Sequence, residues 1–226
     1  MISLKNIKKI YGSRTVLQID DLSFEKGKKY ALIGPNGCGK STLLRIMAKV
    51  LLPSEGSVEV DIAKDLIGYM PQKPYIFALS AYKNILIAIK NGSAEEKDNA
   101  VNWALQAVNM QNFAQNKGSY LSGGEAQRLA FARMIVCKRQ LLLLDEPTSA
   151  TDIAGNDLIE NLINQYAEKT KCTVIFATHS LVQARNIADY ILMMSEGLVV
   201  EKTSAEELLF NPQHEATKEF LKHWRL

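Results

Sequence analysis

Short apolar stretches, partly alternating with polar residues, open the chain. Ile2-Ser3-Leu4, Thr15-Val16-Leu17-Gln18-Ile19 and Leu22-Ser23-Phe24 predict short strands, broken by a turn at Tyr11-Gly12-Ser13. Residues 28–33 climb as a further strand into Gly34. Past a glycine-rich stretch the period lengthens. Leu43, Leu44, Met47, Val50 and Leu51 recur at helical spacing, and Pro53 and Gly56 end that helix before a strand at 57–60. A strand at 66–70 stops at Pro71, and the pattern is then helical at 80–90, 95–108 and 124–137. Strands at 140–145, 173–177 and 189–194 alternate with helices near 153–168 and 181–187. Val199-Val200-Glu201 closes a hairpin onto 190–194, and the tail 204–224 is helical with a break near Pro212.

Strands alternating with helices imply a mostly parallel sheet covered on both faces. The helical block 74–137 interrupts that alternation and reads as an insert. Composition narrows the class. Of 226 residues, 47% are hydrophobic and 23% charged, the balance of a folded globular chain. No apolar run approaches the roughly 18–20 residues needed to span a bilayer, and Met-Ile-Ser-Leu-Lys-Asn is not a signal sequence. A soluble protein is expected, held at a membrane only by a partner. A net charge of +3 without a dense basic tract argues against nucleic acid. Cys38, Cys137 and Cys172 are widely spaced, with no zinc or redox pattern, which fits a reduced cytosolic compartment.

The chemistry is concentrated in three motifs. Gly34-Pro35-Asn36-Gly37-Cys38-Gly39-Lys40-Ser41, followed by Thr42, fits G-x-x-x-x-G-K-[ST] between a strand and a helix. Small residues there let backbone N–H groups cradle phosphate at a helix N-terminus. Lys40 is placed to reach the β- and γ-phosphates of ATP, and Ser41 to ligate Mg²⁺. The apolar strand Leu141-Leu142-Leu143-Leu144 ends in Asp145-Glu146, at the sheet edge where open α/β folds bind ligands. Asp145 suits Mg²⁺ and Glu146 suits a general base for water. Leu121-Ser122-Gly123-Gly124-Glu125 has capping-box spacing, and its glycine pair allows a second anion to approach a helix start.

Together these motifs resemble the nucleotide-binding subunits of ABC transporters. The match runs from Tyr11 through Gln72, Ser149-Ala150-Thr151-Asp152 and His179, in the family's order. It implies an α/β fold: a P-loop NTPase core with a mostly parallel sheet, an N-terminal antiparallel β subdomain and an inserted α-helical subdomain. One ABC ATPase domain is expected over 1–226, with the core from 1–73 and 138–226 and the insert at 74–137. By the same resemblance Tyr11 stacks on adenine, Gln72 contacts Mg²⁺ and the water, and His179 contacts the γ-phosphate. Ser122, Gly123 and Gly124, with Glu125 ending the signature, serve the nucleotide of a second subunit, and Asp152 lies at the dimer interface. Glu125 stands where Gln is commoner, and Thr151 where Leu is commoner; both residues at the first position serve a capping box.

The resemblance implies an Mg²⁺-dependent ATPase, working as a dimer on the inner face of the cell membrane. Its partners would be membrane permease subunits and an extracytoplasmic solute-binding protein. The stretch 68–77 is similar to importers of oxyanions such as tungstate, molybdate or phosphate. The alternative is a soluble ABC ATPase acting on ribosomes or nucleic acid. Such proteins usually carry paired nucleotide domains or a long coiled coil, and neither is present in this sequence. A GTPase would need Asn-Lys-x-Asp, whereas Asn116-Lys117-Gly118-Ser119 lacks the aspartate. Cys38, beside Lys40 and a helix start, is expected to be the most reactive thiol, with Cys137 and Cys172 buried.

Overall fold

The computed structural model describes residues 2–222. Its elements run β1 (Ile2–Tyr11), β2 (Arg14–Phe24), β3 (Lys29–Ile33), α1 (Lys40–Met47), β4 (Glu55–Val60) and β5 (Ile67–Met70). Then come α2 (Ala81–Leu86), α3 (Ala94–Ala107), α4 (Gly123–Ile135), β6 (Leu141–Asp145), α5 (Ile153–Thr170) and β7 (Thr173–Ala177). The chain continues through α6 (Leu181–Ile187), β8 (Tyr190–Ser195), β9 (Leu198–Ser204), α7 (Ala205–Phe210) and α8 (Glu215–Lys222).

Two sheets form. The first is antiparallel, in the order β2-β1-β4. The second has the order β5-β6-β7-β3-β8-β9, parallel except for β9. Its central strands are covered on both faces, so β6 and β7 are buried at every position and read as unbroken apolar runs. Side chains still alternate between faces. Leu142, Leu144, Val174 and Phe176 join a core with Phe131 of α4, Ile159 of α5 and Leu181 of α6. Leu141, Leu143 and Ile175 face the other way, into a core with Leu43 of α1 and Leu4 and Leu17 of the antiparallel sheet.

The parallel register sets the functional edge. Ala177 lies beside both Leu32 and Asp145, so the C-terminal ends of β3, β7 and β6 are level. The phosphate loop, Asp145-Glu146 and Thr178-His179 all leave the sheet at that height. Helices α2 to α4 extend the first core through Ile85, Val101, Leu105 and Leu129. Ser93 and Glu96 cap α3 reciprocally.

The main elements match the mixed α/β architecture expected from the periodicity, with local differences. The expected strands at 15–19 and 22–24 are one strand, because Asp20 and Asp21 sit on an exposed stretch of β2 and do not break its pairing. The first helix stops at Met47. Lys49 turns left-handed at φ 57°, so Val50 is exposed instead of continuing the apolar face, while Leu51 still packs half-buried against the core. The expected helix at 80–90 is only Ala81–Leu86. The tail breaks around Pro212 as expected, into α7 and α8; positions 223 and 224 of that expected helix lie outside the described residues.

Candidate functional site

The glycines of the phosphate loop are required by their backbone. Gly34 has φ 140°, and a Cβ there would run into the Met194 carbonyl and come within 3.0 Å of Cys38 Sγ. Gly39 has φ 108° and stands at the N-cap of α1 without a side-chain cap. No acidic residue occupies the first turn of α1. The first N–H groups of α1 are therefore left for an anion. Lys40, only 7% exposed, folds back into the loop. Its Nζ donates to the carbonyls of Gly34 at 2.7 Å and Pro35 at 3.1 Å. A buried ammonium held by neutral groups, two carbonyls and the Cys38 sulfur, gains from an anion among them.

The acidic pair meets this loop from β6. Ser41 donates its hydroxyl to Asp145 Oδ1 at 3.0 Å. Burial pushes the Asp145 carboxyl above its ordinary range, against the opposing hydrogen bond from Ser41. Glu146 has left the sheet with φ 49°, a left-handed conformation uncommon outside glycine. That turn aims its carboxylate across the cleft. Gln72 Nε2 donates to Glu146 Oε2 at 2.8 Å, and His179 Nδ1 lies 3.5 Å from the same oxygen. The cleft holding Lys40, Ser41, Thr42, Asn36, Gly37 and Gly39 thus has Gln72 and Glu146 in its wall. An adjoining recess adds Gly34, Pro35 and His179.

Other expected residues lie elsewhere. Ser122, Gly123, Gly124 and Glu125 line neither part of this cleft. They start α4 as a complete capping box: Ser122 accepts from the Glu125 N–H at 3.4 Å, and Glu125 Oε2 accepts from the Ser122 N–H at 2.7 Å. The Ser122 backbone N–H holds the Glu125 carboxyl below its usual range. Tyr11 is 48% exposed at the end of β1, under the Lys9 ammonium at 5.1 Å from its ring centre, so it is not a core residue. It lines neither part of the cleft. Asp152 caps α5, accepting from the Gly155 N–H at 2.9 Å.

The expectation for Cys38 is overturned. The residue is 4% exposed and its side chain packs into the core, with Lys40 Nζ 3.8 Å from Sγ. The small-residue loop curls around the side chain instead of presenting it. Cys172 is buried as expected, and burial raises its thiol pKa to about 12. Cys137, expected to be buried, is partly exposed and donates to the Ala88 carbonyl at 3.1 Å. Two residues escaped the sequence reading. Phe220 of α8 lines the recess beside His179, and no motif marked it. Gln127 of α4 is buried at hydrogen-bond distance from the Glu146 backbone; its only sequence signal was a glutamine on an apolar helix face.

Asp145 and Ser41 provide an all-oxygen pair suited to Mg²⁺, which usually takes few protein ligands and completes its shell with phosphate and water. No cluster of three or more His, Cys, Asp or Glu among the described residues could hold a metal by itself.

Two outcomes follow from this geometry. Maleimide modifies Cys137 ahead of Cys38 and Cys172; peptide mapping by mass spectrometry decides, and fastest labelling at Cys38 contradicts the burial. In divalent-free buffer, Asp145→Asn raises the melting temperature near pH 8. Because the folded-state pKa is raised, ionised Asp145 destabilises the fold above that pKa, and the penalty vanishes as pH falls below the unfolded carboxylate value near 4. The gain should therefore disappear by about pH 3; a gain equal at both pH values assigns it to something other than charge burial.

Residues 17–149 match the family model described as ABC transporter. Over 208 residues the chain is 36% identical to the tungstate uptake system ATP-binding protein TupC of Peptoclostridium acidaminophilum, covering 88% of this chain and 97% of that protein. A dimeric ATP-binding cassette in a post-hydrolysis state, bound to ADP and Pi, superimposes with a TM-score of 0.84 at 27% identity, over 91% of this chain and 99% of that one. CbiO1 from Clostridium perfringens, part of an ABC transporter complex, gives a TM-score of 0.80 at 25% identity, over 93% and 90% of the two chains. With a family match over more than half its length and a relative this similar across nearly all of it, the chain belongs to the ABC transporter family.

Proposed function

We propose that this chain is the ATP-hydrolysing subunit of a membrane importer of a small solute, with an oxyanion as the class of cargo. One observation carries the hydrolytic reading: Gln72 and His179 converge on one carboxylate oxygen of Glu146, beside a loop with a buried lysine. The loop N–H groups and Lys40 bind the phosphates of ATP, with Lys40 exchanging its carbonyl partners for phosphate oxygens. Ser41 and Asp145 would hold Mg²⁺, assisted by Gln72, and the ion when bound would supply charge neutralisation on the phosphates. Glu146 accepts a proton from water as the water oxygen attacks the γ-phosphorus. The bond from that phosphorus to the bridging oxygen breaks, giving ADP and phosphate. Gln72 and His179 keep the carboxylate aimed, and His179 meets the γ-phosphate.

The signature residues support a dimer. Since Ser122–Gly124 lie outside the chain's own cleft, they are free to close the cleft of a second copy, with Asp152 at the junction and Tyr11 against adenine. Dimerisation of the related cassette bound to ADP and Pi favours this arrangement. On this reading 1–226 is one ATPase domain, with 74–137 as its helical insert. No helix among the described residues is long and apolar enough to cross a membrane. Attachment at the inner face of the membrane then falls to permease subunits, with a solute-binding protein delivering cargo. A groove between β5 and α4 suits such a contact: Tyr75 and Phe77 are exposed at its rim, edge to face at 5.0 Å, and Arg133 stacks 5.4 Å over Phe77. The relative named for tungstate uptake supports the oxyanion class.

Glu146→Gln should keep ATP binding, lose about 10²–10⁴-fold in turnover, and accumulate an ATP-bound dimer by size exclusion. Parental turnover in this variant overturns the base assignment. Per-subunit activity should also climb with protein concentration, and a flat rate across a demonstrably monomeric range sinks the two-copy site. Tyr75→Glu or Phe77→Glu should abolish oxyanion uptake in cells and permease co-purification while sparing ATPase activity of the isolated subunit. Uptake unchanged in both variants rules out this groove as the docking surface.

A further inference from the structure

The turn that leaves β6 is fastened by a side chain with no role in the reading above. Gln127 belongs to α4, one turn beyond Ser122–Gly124, and is 1% exposed. Its amide spans the turn. Nε2 donates to the Glu146 carbonyl at 2.8 Å, and Oε1 accepts from the Ala150 N–H at 2.9 Å. Both ends of the stretch 146–150 are thus held by one rigid planar group. The same carbonyl of Glu146 also accepts from the Ser149 N–H at 3.2 Å, and the Glu146 N–H is bound to the Ala177 carbonyl at 3.0 Å.

These contacts matter because Glu146 is strained. A non-glycine residue in the left-handed region persists where its surroundings over-determine it. Released, the peptide after Glu146 can relax toward an extended conformation, swinging the carboxylate away from Gln72 and His179. An amide is also a costly way to fill a helix face packed against apolar neighbours, since both its polar atoms then need partners. Here both have them, and both partners lie on the catalytic turn. From the opposite side, Gln183 of α6, also buried, donates to Thr148 Oγ1 at 2.9 Å, yet its own Oε1 has no partner. Gln183 reaches only a side chain of the turn, whereas Gln127 holds its backbone at two points.

We propose that Gln127 is a positioning residue for hydrolysis: by clamping the Glu146 carbonyl and the Ala150 N–H it fixes the left-handed turn that aims Glu146 at the attacking water. The proposal rests on Glu146 being the base. Gln127 is buried and lines neither part of the cleft, so it acts on turnover and leaves ground-state ATP binding alone. The clamp also ties the helix that begins at the signature to the base of the same chain. Gly124 packs against the same stretch, where an added Cβ would lie 3.0 Å from the Ala150 carbonyl.

The test is a mutant cycle read by single-turnover ATP hydrolysis, with KM for MgATP and the melting temperature measured alongside. Gln127→Met keeps the length and removes both hydrogen bonds. Gln127→Glu keeps the acceptor and loses the donor to Glu146. Each should lower kcat about 10- to 100-fold with KM within about twofold of the parent. In a Glu146→Gln background neither should lower the residual rate further, because a residue acting through the base has nothing left to position. Parental kcat in both variants overturns the proposal. So does a matched loss of kcat, ATP binding and thermal stability, which marks a purely structural role, and so does a full further loss in the Glu146→Gln background. Should Gln127→Met fail to fold, the isosteric Gln127→Glu carries the same comparison. If Glu146→Gln itself turns over at the parental rate, the base assignment has failed; an inactive Glu146→Gln beside a silent Gln127 variant refutes the positioning role alone.

Discussion

Everything at the candidate site depends on the register of three parallel strands. Ala177 of β7 lies between Leu32 of β3 and Asp145 of β6, so the three strands end at the same height. Parallel pairing makes this possible, since each strand must leave the sheet in the same direction. Residues far apart in sequence then become neighbours: Ser41 reaches Asp145 across 104 positions. A one-residue slip of β6 would move its leucines to the wrong core and withdraw Asp145 from Ser41 together. The two apolar cores, one on each face of the sheet, therefore specify the chemistry as well as the fold.

Placing charge at a packed edge has a cost that the site leaves partly uncompensated. Lys40 is buried against carbonyls, and Asp145 is buried with a serine hydroxyl as its hydrogen-bond partner. The raised pKa of Asp145 expresses that imperfect solvation. A polyanionic nucleotide with a divalent cation would supply what both groups lack: negative charge for Lys40 and positive charge for Asp145. Ligand binding and fold stability are thereby linked, because a ligand that satisfies buried charge binds the folded state alone.

Much of this was legible in the sequence because the motifs are local. A phosphate loop, a leucine run ending in two acids, and a serine-glycine-glycine-glutamate turn each declare themselves within eight residues. Gln72 and His179 were placed only through resemblance, since a lone glutamine or histidine carries no local signal; the structure brings both to Glu146 Oε2. What stayed hidden was tertiary. The direction of the Cys38 side chain is decided by how the loop curls, so proximity to Lys40 in sequence misread its exposure. Val50 and Leu51 continued a helical pattern that the left-handed Lys49 ends. Phe220 lines the recess through the tertiary placement of α8, and Gln127 gains meaning only when the turn after β6 is laid beside α4.

The same structure contains an asymmetry that a single copy cannot resolve. The loop, acids, glutamine and histidine face one cleft, while Ser122, Gly123 and Gly124 open α4 outside that cleft. A helix start flanked by two glycines, with its serine engaged in a capping box, has little reason to be glycine-rich for helix stability, since glycine weakens a first turn relative to alanine. Gly124 lets the helix start pack against Ala150, whereas Gly123 lies exposed and keeps a side chain off the surface. On the proposed reading, Ser122–Gly124 are half of an anion site that only a second copy would complete, since they line neither part of the chain's own cleft. The Gln127 contact ties the helix that begins at Ser122–Gly124 to the turn that carries Glu146, so on the proposed reading a partner docking on that helix start would bear on the aim of Glu146.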